Sequence, residues 1–301
     1  MPETFDWNNL GAFLAVARTG RLTAAAARLG ADHTTVARRI TALEQGLKAR
    51  LFHRSPSGYT LTPQGERLLP TAERIESLAL AAQSQVGGSE AAISGAVRIG
   101  APEGFGSYFL APRMGALCEA HPELEVQLVA IPGVFSLSKR EADLAIALSP
   151  PREGRLVARK LTDYSLGLYA SPDYLEGHAE VASAADLKGC RAIGYIEDLL
   201  YAPELDYLDQ TSVELSLRFK SSNLIAQLRA ALAGVGVCIL PDFIAAAEPG
   251  LRPILREQVR LERSFWLVSH ADLKGVARIR TTADFIVEQV RAARALFLPW
   301  D

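Results

Sequence analysis

The sequence of 301 residues lacks the features that mark membrane, secreted and disulfide-bonded proteins. No stretch approaches the roughly 18 uninterrupted apolar residues that a membrane span needs, and no positively charged, apolar leader begins it. Its three cysteines, Cys118, Cys190 and Cys238, lie far apart without CxxC spacing, so we expect buried, reduced thiols. These absences predict a cytoplasmic protein that does not bind membranes.

Catalytic signatures are also missing. The five histidines are scattered without HExxH spacing, and the sequence has no GxSxG, no Walker loop and no GxGxxG after a strand. Gly234 and Gly236 are better explained as a tight turn that leads into a strand. We therefore predict no catalytic residue, no metal ion and no cofactor, and an enzyme is disfavoured.

Charge is distributed unevenly along the chain. The formal net charge is −2, but residues 1–67 carry nine basic and five acidic side chains, a net +4 that leaves −6 for the rest. A local basic excess is expected of a module that faces phosphate.

The first 65 residues have the pattern of three short helices. Asp6 and Gly20 bound the first, Thr23 caps a second that Gly30 ends, and Asp32 caps a third. Apolar residues recur at helical spacing within them: Leu10, Phe13, Leu14, Ala17, Val36, Ile40, Leu43 and Leu47. Helices of this size with a glycine-containing turn predict a helix-turn-helix.

Residues 51–62 then read as two short strands around a Pro-Ser-Gly turn, which predicts a wing. A recognition helix presents its N-terminal residues to base edges, and neighbouring elements contact phosphate. The alternative is an ordinary solvated helix face. The residues predicted to contact DNA are Thr23, His33, Thr34, Thr35, Ala37, Arg38, Arg39, His53, Arg54 and Ser55.

A single long helix is predicted from Pro63 to about Val86, with Thr62 as its cap. Apolar residues step along it by four and three, the pattern of a coiled-coil seam. The residues predicted to pair two chains are Leu68, Ala72, Ile75, Ala79, Ala82 and Val86. We expect a homo-oligomer because nothing nearby in sequence covers this stripe; the alternative is packing on its own domain. Residues 87–89, Gly-Gly-Ser, predict a hinge.

After Gly95 the pattern changes to strands alternating with helices, which predicts an α/β fold with a parallel sheet. Strands are predicted at 97–100, 125–131, 142–146, 166–170, 192–196, 236–240 and 265–269. Helices are predicted from about 106 to 120, from 223 to 233 and from 281 to 295.

Motifs spread along the whole sequence resemble those of the LysR-type transcriptional regulators. In the first part they are 13–17 (FLAVA), 19–20 (TG), 23–29 (TAAAARL), Val36-x-x-x-Ile40-x-x-Leu43-Glu44, Leu51-Phe52-x-Arg54 and Leu61-Thr62-Pro63-x-Gly65. In the second part they are Gly95-x-Val97-Arg98-Ile99, 110–112 (LAP), 143–146 (DLAI), Tyr169-Ala170-Ser171-Pro172-x-Tyr174-Leu175 and Gly234-x-Gly236-x-x-x-Leu240-Pro241.

The resemblance implies an α/β protein with an N-terminal winged helix-turn-helix (1–62), a linker dimerisation helix and hinge (63–90) and a periplasmic-binding-protein-like effector domain (91–301). That domain would comprise subdomain I (95–163 plus 269–301) and subdomain II (164–268), with hinge strands near 162–165 and 268–270. It implies a regulator that binds double-stranded DNA and a small-molecule effector, as a homodimer or homotetramer. A transport solute-binding protein is the alternative for the C-terminal part.

The recognition helix departs from the family pattern. Members commonly begin this helix Ser-Gln-Ser/Pro-Ala and carry a serine farther in, where this sequence has Asp32, His33, Thr34 and Thr35, and then Ala37. Aspartate replaces serine as the cap, but the residues that read bases differ. The sequence leaves open whether His33 or Arg38 contacts the bases that determine specificity.

Ligands of open α/β sheets bind beyond the carboxyl ends of strands and at helix N-termini. The residues this places at the effector are Ala101, Pro102, Glu103, Ile131, Pro132, Glu197, Asp198, Ser222 and Asn223. Glu103 either complements a helix dipole or faces the cleft. In the second case, with Glu197 and Asp198 opposite, a neutral or cationic effector is favoured over a small anion.

Overall fold

The computed structural model describes residues 6, 8–56, 58–86, 93–131, 142–151, 155–177, 181–207, 215–273 and 275–299. The chain divides into two compact units, Met1–Ala91 and Ala92–Asp301. The linker helix belongs to the first unit, and all the strands of the large sheet belong to the second.

The first unit has the predicted order of helices and strands. Its elements are α1 (Asn8–Thr19), α2 (Leu22–Leu29), α3 (His33–Leu47), β1 (Phe52–Ser55), β2 (Gly58–Leu61) and α4 (Pro63–Val86). The strands β1 and β2 pair antiparallel, with Arg54 opposite Tyr59. This geometry is that of a winged helix-turn-helix.

The predicted cap of α2 is wrong. The N-cap position is Arg21, without a side-chain cap hydrogen bond, and Thr23 lies inside the first helical turn. Gly20 ends α1 at φ 66°, a left-handed turn that suits glycine, and Leu22 then packs against the core. The start of α2 is therefore set by packing and not by a threonine hydroxyl.

The wing is fixed to α1 by backbone and aromatic contacts. The Tyr59 amide donates to the Gly20 carbonyl oxygen at 2.8 Å. The ring of Phe52 lies 5.4 Å from that of the fully buried Phe13 and 5.8 Å from that of Tyr59, centroid to centroid. The wing is thus part of the core of this unit, and its orientation relative to the helices is defined.

The linker helix α4 begins as predicted and then packs on its own domain. The Thr62 hydroxyl oxygen accepts from the Gly65 amide at 3.1 Å, as an N-cap does. Ala72 is 0% exposed within the core of this unit, and Leu68 and Ile75 pack against that core. The expectation that nothing in the chain covers the stripe is therefore wrong for these three positions.

Beyond Glu76, the described side chains of α4 are exposed. Ala79 and Ala82 are exposed, and Leu78 beside them is 67% exposed. The side chain of Val86 lies outside the described residues. The pairing role predicted for Ala79, Ala82 and Val86 stays a prediction.

The described residues of the second unit form a nine-stranded sheet. Its strands are β3 (Gly95–Ala101), β4 (Leu124–Ala130), β5 (Leu144–Ala147), β6 (Leu156–Ala170), β7 (Arg191–Gly194), β8 (Ser216–Lys220), β9 (Val237–Pro241), β10 (Arg252–Ile254) and β11 (Arg260–His270). The order is β4-β3-β5-β11-β6-β9-β7-β8, and β10 pairs with β6. Pairing of β3 with β4 and β5, and of β7 with β8 and β9, is parallel, whereas β6, β10 and β11 pair antiparallel. The sheet is mixed and not purely parallel.

The helices of this unit cover the sheet. They are α5 (Met114–Ala120), α6 (Pro172–Glu176), α7 (Leu224–Leu232), α8 (Asp242–Ala245), α9 (Ala277–Ala292) and α10 (Arg294–Phe297), with a π-helical turn at Phe105–Leu110. Short 3₁₀ turns lie at Ala111–Arg113, Ala184–Gly189, Glu197–Leu199, Pro203–Leu205 and Ala271–Leu273. The predicted helix from 106 to 120 is thus a π turn, a 3₁₀ turn and α5 in succession.

Two long strands, β6 and β11, run through both halves of the sheet. Their pairing shifts register between Phe265 and Trp266, opposite Thr162. On β6 this shift, which we take as the crossing between the two halves, lies beside the expected hinge segment 162–165. On β11 it falls several residues before the predicted 268–270, because 266–269 already pair with β5 of the first half. The boundary expected for subdomain II at 268 stays a prediction.

An aromatic cluster fills the crossing. The rings of Tyr164 and Phe265 stack at 4.1 Å with an interplanar angle of 12°. Phe105, Phe243 and Phe297 surround them with centroid separations of 4.6 to 6.2 Å. The crossing is thus a packed core, and the space between the subdomains opens beside it.

Candidate DNA-binding surface and ligand cleft

Asp32 is the N-cap of α3. Its Oδ1 accepts from the Thr35 amide at 2.7 Å, its Oδ2 accepts from the Thr35 hydroxyl at 2.8 Å, and the Thr34 hydroxyl also donates to it. The hydrogen bonds from Thr34 and Thr35 hold the pKa of the Asp32 carboxyl well below its usual range. The predicted cap is confirmed, and the hydroxyl protons of both threonines are engaged by it.

The outer face of α3 carries the side chains predicted to contact DNA. His33, Thr34 and Arg38 are exposed, and Ala37 and Arg39 are partly exposed. Residues 33 and 37, and 34 and 38, are one turn apart and therefore lie on the same face. This face is opposite the fully buried Val36 and Ile40. Thr23 is also exposed, on α2.

A buried glutamate near the end of α3, which the sequence indicated only as part of a motif, holds the wing. Glu44 is 7% exposed, and its Oε1 accepts from the amides of Leu51 at 2.8 Å and Phe52 at 3.3 Å. Its Oε2 accepts from Arg54 at 3.0 Å, and Arg54 also lies 5.8 Å from the Tyr59 ring. Arg54 is thus held in place while its side chain is 41% exposed. His53 and Ser55 on the same strand are exposed.

A shallow basic hollow lies beside the wing. It measures about 440 Å³, and Lys48, Arg50 and Arg54 contribute to its wall, together with Glu44. Cations placed beside a recognition helix are suited to phosphate. Lys48 and Arg50 were not among the residues predicted to contact DNA, although their charge was counted in the basic excess.

In the second unit, Glu103 joins the two subdomains. It follows β3, and its carboxylate accepts from the Leu224 amide and from Asn223 Nδ2 at the N-terminus of α7. Asn223 is itself the N-cap, since its Oδ1 accepts from the Ala226 amide at 2.8 Å. Glu103 is 5% exposed, and burial raises its pKa against the effect of these hydrogen bonds. It therefore faces the cleft and also complements a helix dipole, that of the opposite subdomain.

The other residues predicted at the effector are spread more widely. Ala101 is fully buried at the end of β3, and Pro102 and Ser222 are partly buried beside Glu103 and Asn223 in sequence. Ile131 is 49% exposed, and Pro132 lies outside the described residues.

Of the two acidic residues expected opposite Glu103, one is paired with a lysine and the other is exposed. Glu197 forms an ion pair with Lys220 at 2.9 Å, and Asp198 is exposed.

Sequence reasoning missed a group of tyrosines. Tyr164, Tyr195, Tyr201 and Tyr207 line a narrow hollow of about 20 Å³ together with Glu103. Tyr195, Tyr207 and Leu205 also line an adjoining cavity of about 370 Å³, where Glu197, Asp206 and Gln227 contribute polar groups. Three of these tyrosines come from the irregular segment between β7 and β8, which has no periodicity that would mark it.

The described residues form neither a metal-binding cluster nor a membrane-spanning helix. No three His, Cys, Asp or Glu side chains lie close enough to hold a metal ion. No described helix has both the length and the apolar character to cross a membrane.

A winged helix-turn-helix with an exposed, basic recognition face, and a cleft between two α/β subdomains, define a class of protein. It is the class of transcription regulators that bind DNA with one unit and a small molecule with the other.

Comparison with known proteins identifies the family within this class. Residues 7–66 match the model of the bacterial regulatory helix-turn-helix proteins of the lysR family, and residues 90–291 match that of the LysR substrate binding domain. The chain belongs to the LysR family and is a LysR-type transcriptional regulator. This confirms the regulator interpretation over the transport alternative.

Individual relatives agree with this assignment. The regulator PtxR of Pseudomonas aeruginosa is 32% identical over 245 residues, which cover 80% of this chain and 78% of that protein. The regulator CrgA of Neisseria meningitidis is 28% identical over 287 residues, 93% and 96% of the two chains.

Solved structures agree as well. The structure of CrgA covers 94% of this chain and 98% of its own, with 26% identity and a TM-score of 0.59. A full-length OxyR variant of Pseudomonas aeruginosa, 19% identical, covers 98% and 97% with a TM-score of 0.75 and supports the fold alone.

Proposed function

We propose that the chain binds operator DNA through the N-terminal half of α3 and through the wing. The observation that carries this proposal is the exposed, Asp32-capped start of α3, on whose outer face His33 and Arg38 lie. Arg38 has the geometry to bond a guanine edge bidentately, and His33 can donate to a guanine acceptor. Both are candidate readers of sequence.

Phosphate contacts would come from the surrounding elements. Thr23 on α2, Arg39 on α3, and His53, Arg54 and Ser55 on β1 flank the outer face of α3. The hydroxyls of Thr34 and Thr35 already donate to Asp32, so these two residues would hold the start of α3 in place and would not donate to phosphate. The basic hollow adds Lys48 and Arg50. Contacts of this kind position a protein on the duplex and make its affinity fall steeply with salt.

The effector would bind in the cleft between the two α/β subdomains. Glu103 and Asn223 meet there, with Ala101, Pro102 and Ser222 adjacent to them in sequence. The tyrosine-lined hollow and the cavity beside it supply enclosed space for a small molecule.

Two chains would pair through the exposed half of α4. Ala79 and Ala82, with Val86 farther along, offer small and apolar side chains for close approach of a second helix. Dimers, and tetramers formed from them, would then hold two or more DNA-binding units at fixed spacing. A change of cleft geometry on effector binding would alter that spacing. The proposal includes no catalytic step. The protein would act on DNA in the cytoplasm.

A gel-shift titration of the full-length protein on the intergenic DNA beside its own gene tests the proposal. Binding should favour this fragment over a scrambled one and should weaken steeply between roughly 50 and 200 mM salt. Arg218→Ala is the matched control for any arginine variant, because Arg218 is exposed on β8 of the second unit. Equal binding to both fragments at all salt concentrations would contradict sequence-specific recognition.

A further inference from the structure

We propose that the effector of this regulator is a small organic cation, an amine or quaternary ammonium held against tyrosine rings with Glu103 as its counter-ion. The proposal rests on the proposed function in one respect, that the cleft is the effector site. Three observations carry it: the uncompensated charge of Glu103, the aromatic wall around it and the occupied N-terminus of α7.

The first observation concerns charge. Glu103 is 5% exposed and accepts hydrogen bonds from Leu224 and Asn223. Of the residues that the structure describes, no lysine, arginine or histidine forms an ion pair with it. Burying a carboxylate is costly unless a cation accompanies it. A ligand cation beside Glu103 supplies the charge that the chain does not.

The second observation concerns the wall. Tyr195 and Tyr207 approach edge to face at 5.9 Å, and Tyr164 and Tyr201 complete the hollow. The pKa of Tyr195 and Tyr201 is raised by burial and also by the negative charge of Glu103, which places that charge near both rings. Neutral tyrosine rings present negative faces, and several of them around a carboxylate are suited to an ammonium group.

Size is consistent with this assignment. The hollow of about 20 Å³ has room for one small group, and it shares Tyr195, Leu205 and Tyr207 with the cavity of about 370 Å³. A primary ammonium head, close to one water molecule in size, would occupy the hollow and leave its apolar body in the larger cavity, whereas a quaternary head would lie where the two spaces adjoin. Among the described residues that line either space, the ionisable groups other than tyrosines are the carboxylates Glu103, Glu197 and Asp206, and Lys220 pairs with Glu197 at the edge.

The third observation disfavours an anionic effector. The donors at the start of α7, the Leu224 amide and Asn223 Nδ2, already bond Glu103. A ligand carboxylate placed there would compete for the same donors and would bring two like charges together in a buried site. A neutral ligand avoids this repulsion but leaves Glu103 without a cation.

Calorimetry on the full-length protein distinguishes these classes with one matched set of probes. Benzyltrimethylammonium and benzylamine are the cations, benzyl alcohol is the neutral analogue and benzoate is the anion. We expect at least one cation to bind about tenfold or more tightly than the alcohol, and benzoate to bind most weakly. The proposal is overturned if benzoate binds best, if the alcohol equals the cations, or if no cation binds at millimolar concentration.

Variants locate the binding. Glu103→Gln keeps an oxygen acceptor for Leu224 and removes the charge, so the affinity for the cation should fall about tenfold. Glu176→Gln, on an exposed glutamate of α6 outside both cavities, should leave it unchanged. Tyr201→Phe should retain binding because the ring face remains, whereas Tyr201→Leu should lose it. Unchanged cation affinity in Glu103→Gln contradicts the proposal.

Operator binding of the unliganded wild type, measured in parallel, separates the two proposals. A protein that binds the cations but not DNA leaves the cation site standing and contradicts the proposed function. A protein that binds DNA but none of the cations does the reverse.

Discussion

Glu44 in the first unit and Glu103 in the second are both buried and accept hydrogen bonds from backbone amides, but they differ in whether a cation accompanies them. Glu44 is 7% exposed and accepts from two amides of the wing, while Arg54 supplies a positive charge at 3.0 Å. Glu103 is 5% exposed and accepts from the start of α7, and no described residue supplies a cation.

The two buried carboxylates serve different purposes. Where the chain provides both charges, as at Glu44 and Arg54, the pair fixes the wing against α3. Where it provides only the negative charge, as at Glu103, hydrogen bonds alone hold the carboxylate. A bound cation would stabilise that charge further. The same chemistry is structural in one unit and, in our proposal, selects a ligand in the other.

Removing Glu44 should have the largest effect on stability. In Glu44→Ala the amides of Leu51 and Phe52 lose their acceptor and Arg54 loses its partner, so unfolding should become easier by about 2–3 kcal/mol. The partial exposure of Arg54 keeps the expected loss below that of a fully buried pair. Urea unfolding measures it, with Glu66→Ala on the exposed face of α4 as control. A loss no larger than that of the control would show that the pair contributes nothing.

Alanine variants of Arg38, on the outer face of α3, and of Arg54, in the wing, should distinguish contacts to bases from contacts to phosphate. Arg38→Ala should weaken operator binding by about 1–3 kcal/mol and random DNA less, whereas Arg54→Ala should weaken both and reduce the salt slope by about one. Fluorescence anisotropy at several salt concentrations provides both quantities. Because Arg54 also pairs with Glu44, its variant needs a matching unfolding curve. Equal losses on both DNAs for Arg38→Ala would show that it contacts phosphate only.

Neutralising Glu103 should have a smaller effect, opposite in sense to that of losing Glu44. Since burial raises the pKa of Glu103, the charged form is penalised in the folded state. Glu103→Gln, free of ligand at neutral pH, should therefore be within about 1 kcal/mol of the wild type or more stable.

The pH dependence follows from the sign of that shift. The stabilising contribution of protonated Glu103 is present below its unfolded pKa and is lost as the pH rises through the folded one. The stability of the wild type relative to Glu103→Gln should fall as the pH rises from acid towards neutral. Thermal unfolding across this range measures it, and a wild type that gains stability relative to Glu103→Gln as the pH rises would contradict the account.

Asp32 should show the smallest effect, with the opposite pH dependence. Hydrogen bonds lower its pKa, so its contribution is present above the unfolded pKa and is lost as the pH falls through the folded one. Asparagine caps helices as well as aspartate does, so Asp32→Asn should match the wild type at neutral pH. As the pH falls, the melting temperature of the wild type should drop below that of Asp32→Asn, because only the aspartate loses its charge. A constant difference at every pH would show that the carboxylate charge is irrelevant.

Local signals explain why most of the first unit could be predicted. Asp32 and Thr62 contact donors three residues ahead, and the wing turn is short, so each lies within one stretch of sequence. The errors arose where packing decided the outcome. Leu22 starts α2 before the predicted cap, and Ala72 enters a core that no local pattern distinguishes from a coiled-coil seam.

The ligand cleft was harder to predict because its contacts are distant in sequence. Glu103 bonds Leu224, 121 residues away, and its two possible roles could not be separated until that contact was known. Tyr195, Tyr201 and Tyr207 lie in or next to irregular segments, where no periodicity reveals which side chains meet. The sequence pattern places Glu103 after β3 and Asn223 at the start of α7, but it does not indicate that the two side chains meet.

The most direct test measures the effect of the cation on operator binding in one titration. Operator affinity of the full-length protein is measured by fluorescence anisotropy with increasing benzyltrimethylammonium, alongside benzoate and the Glu103→Gln variant. The account predicts that the cation changes the affinity about fivefold or more, that benzoate does not, and that the variant does not respond. Identical operator binding with and without saturating cation would contradict it.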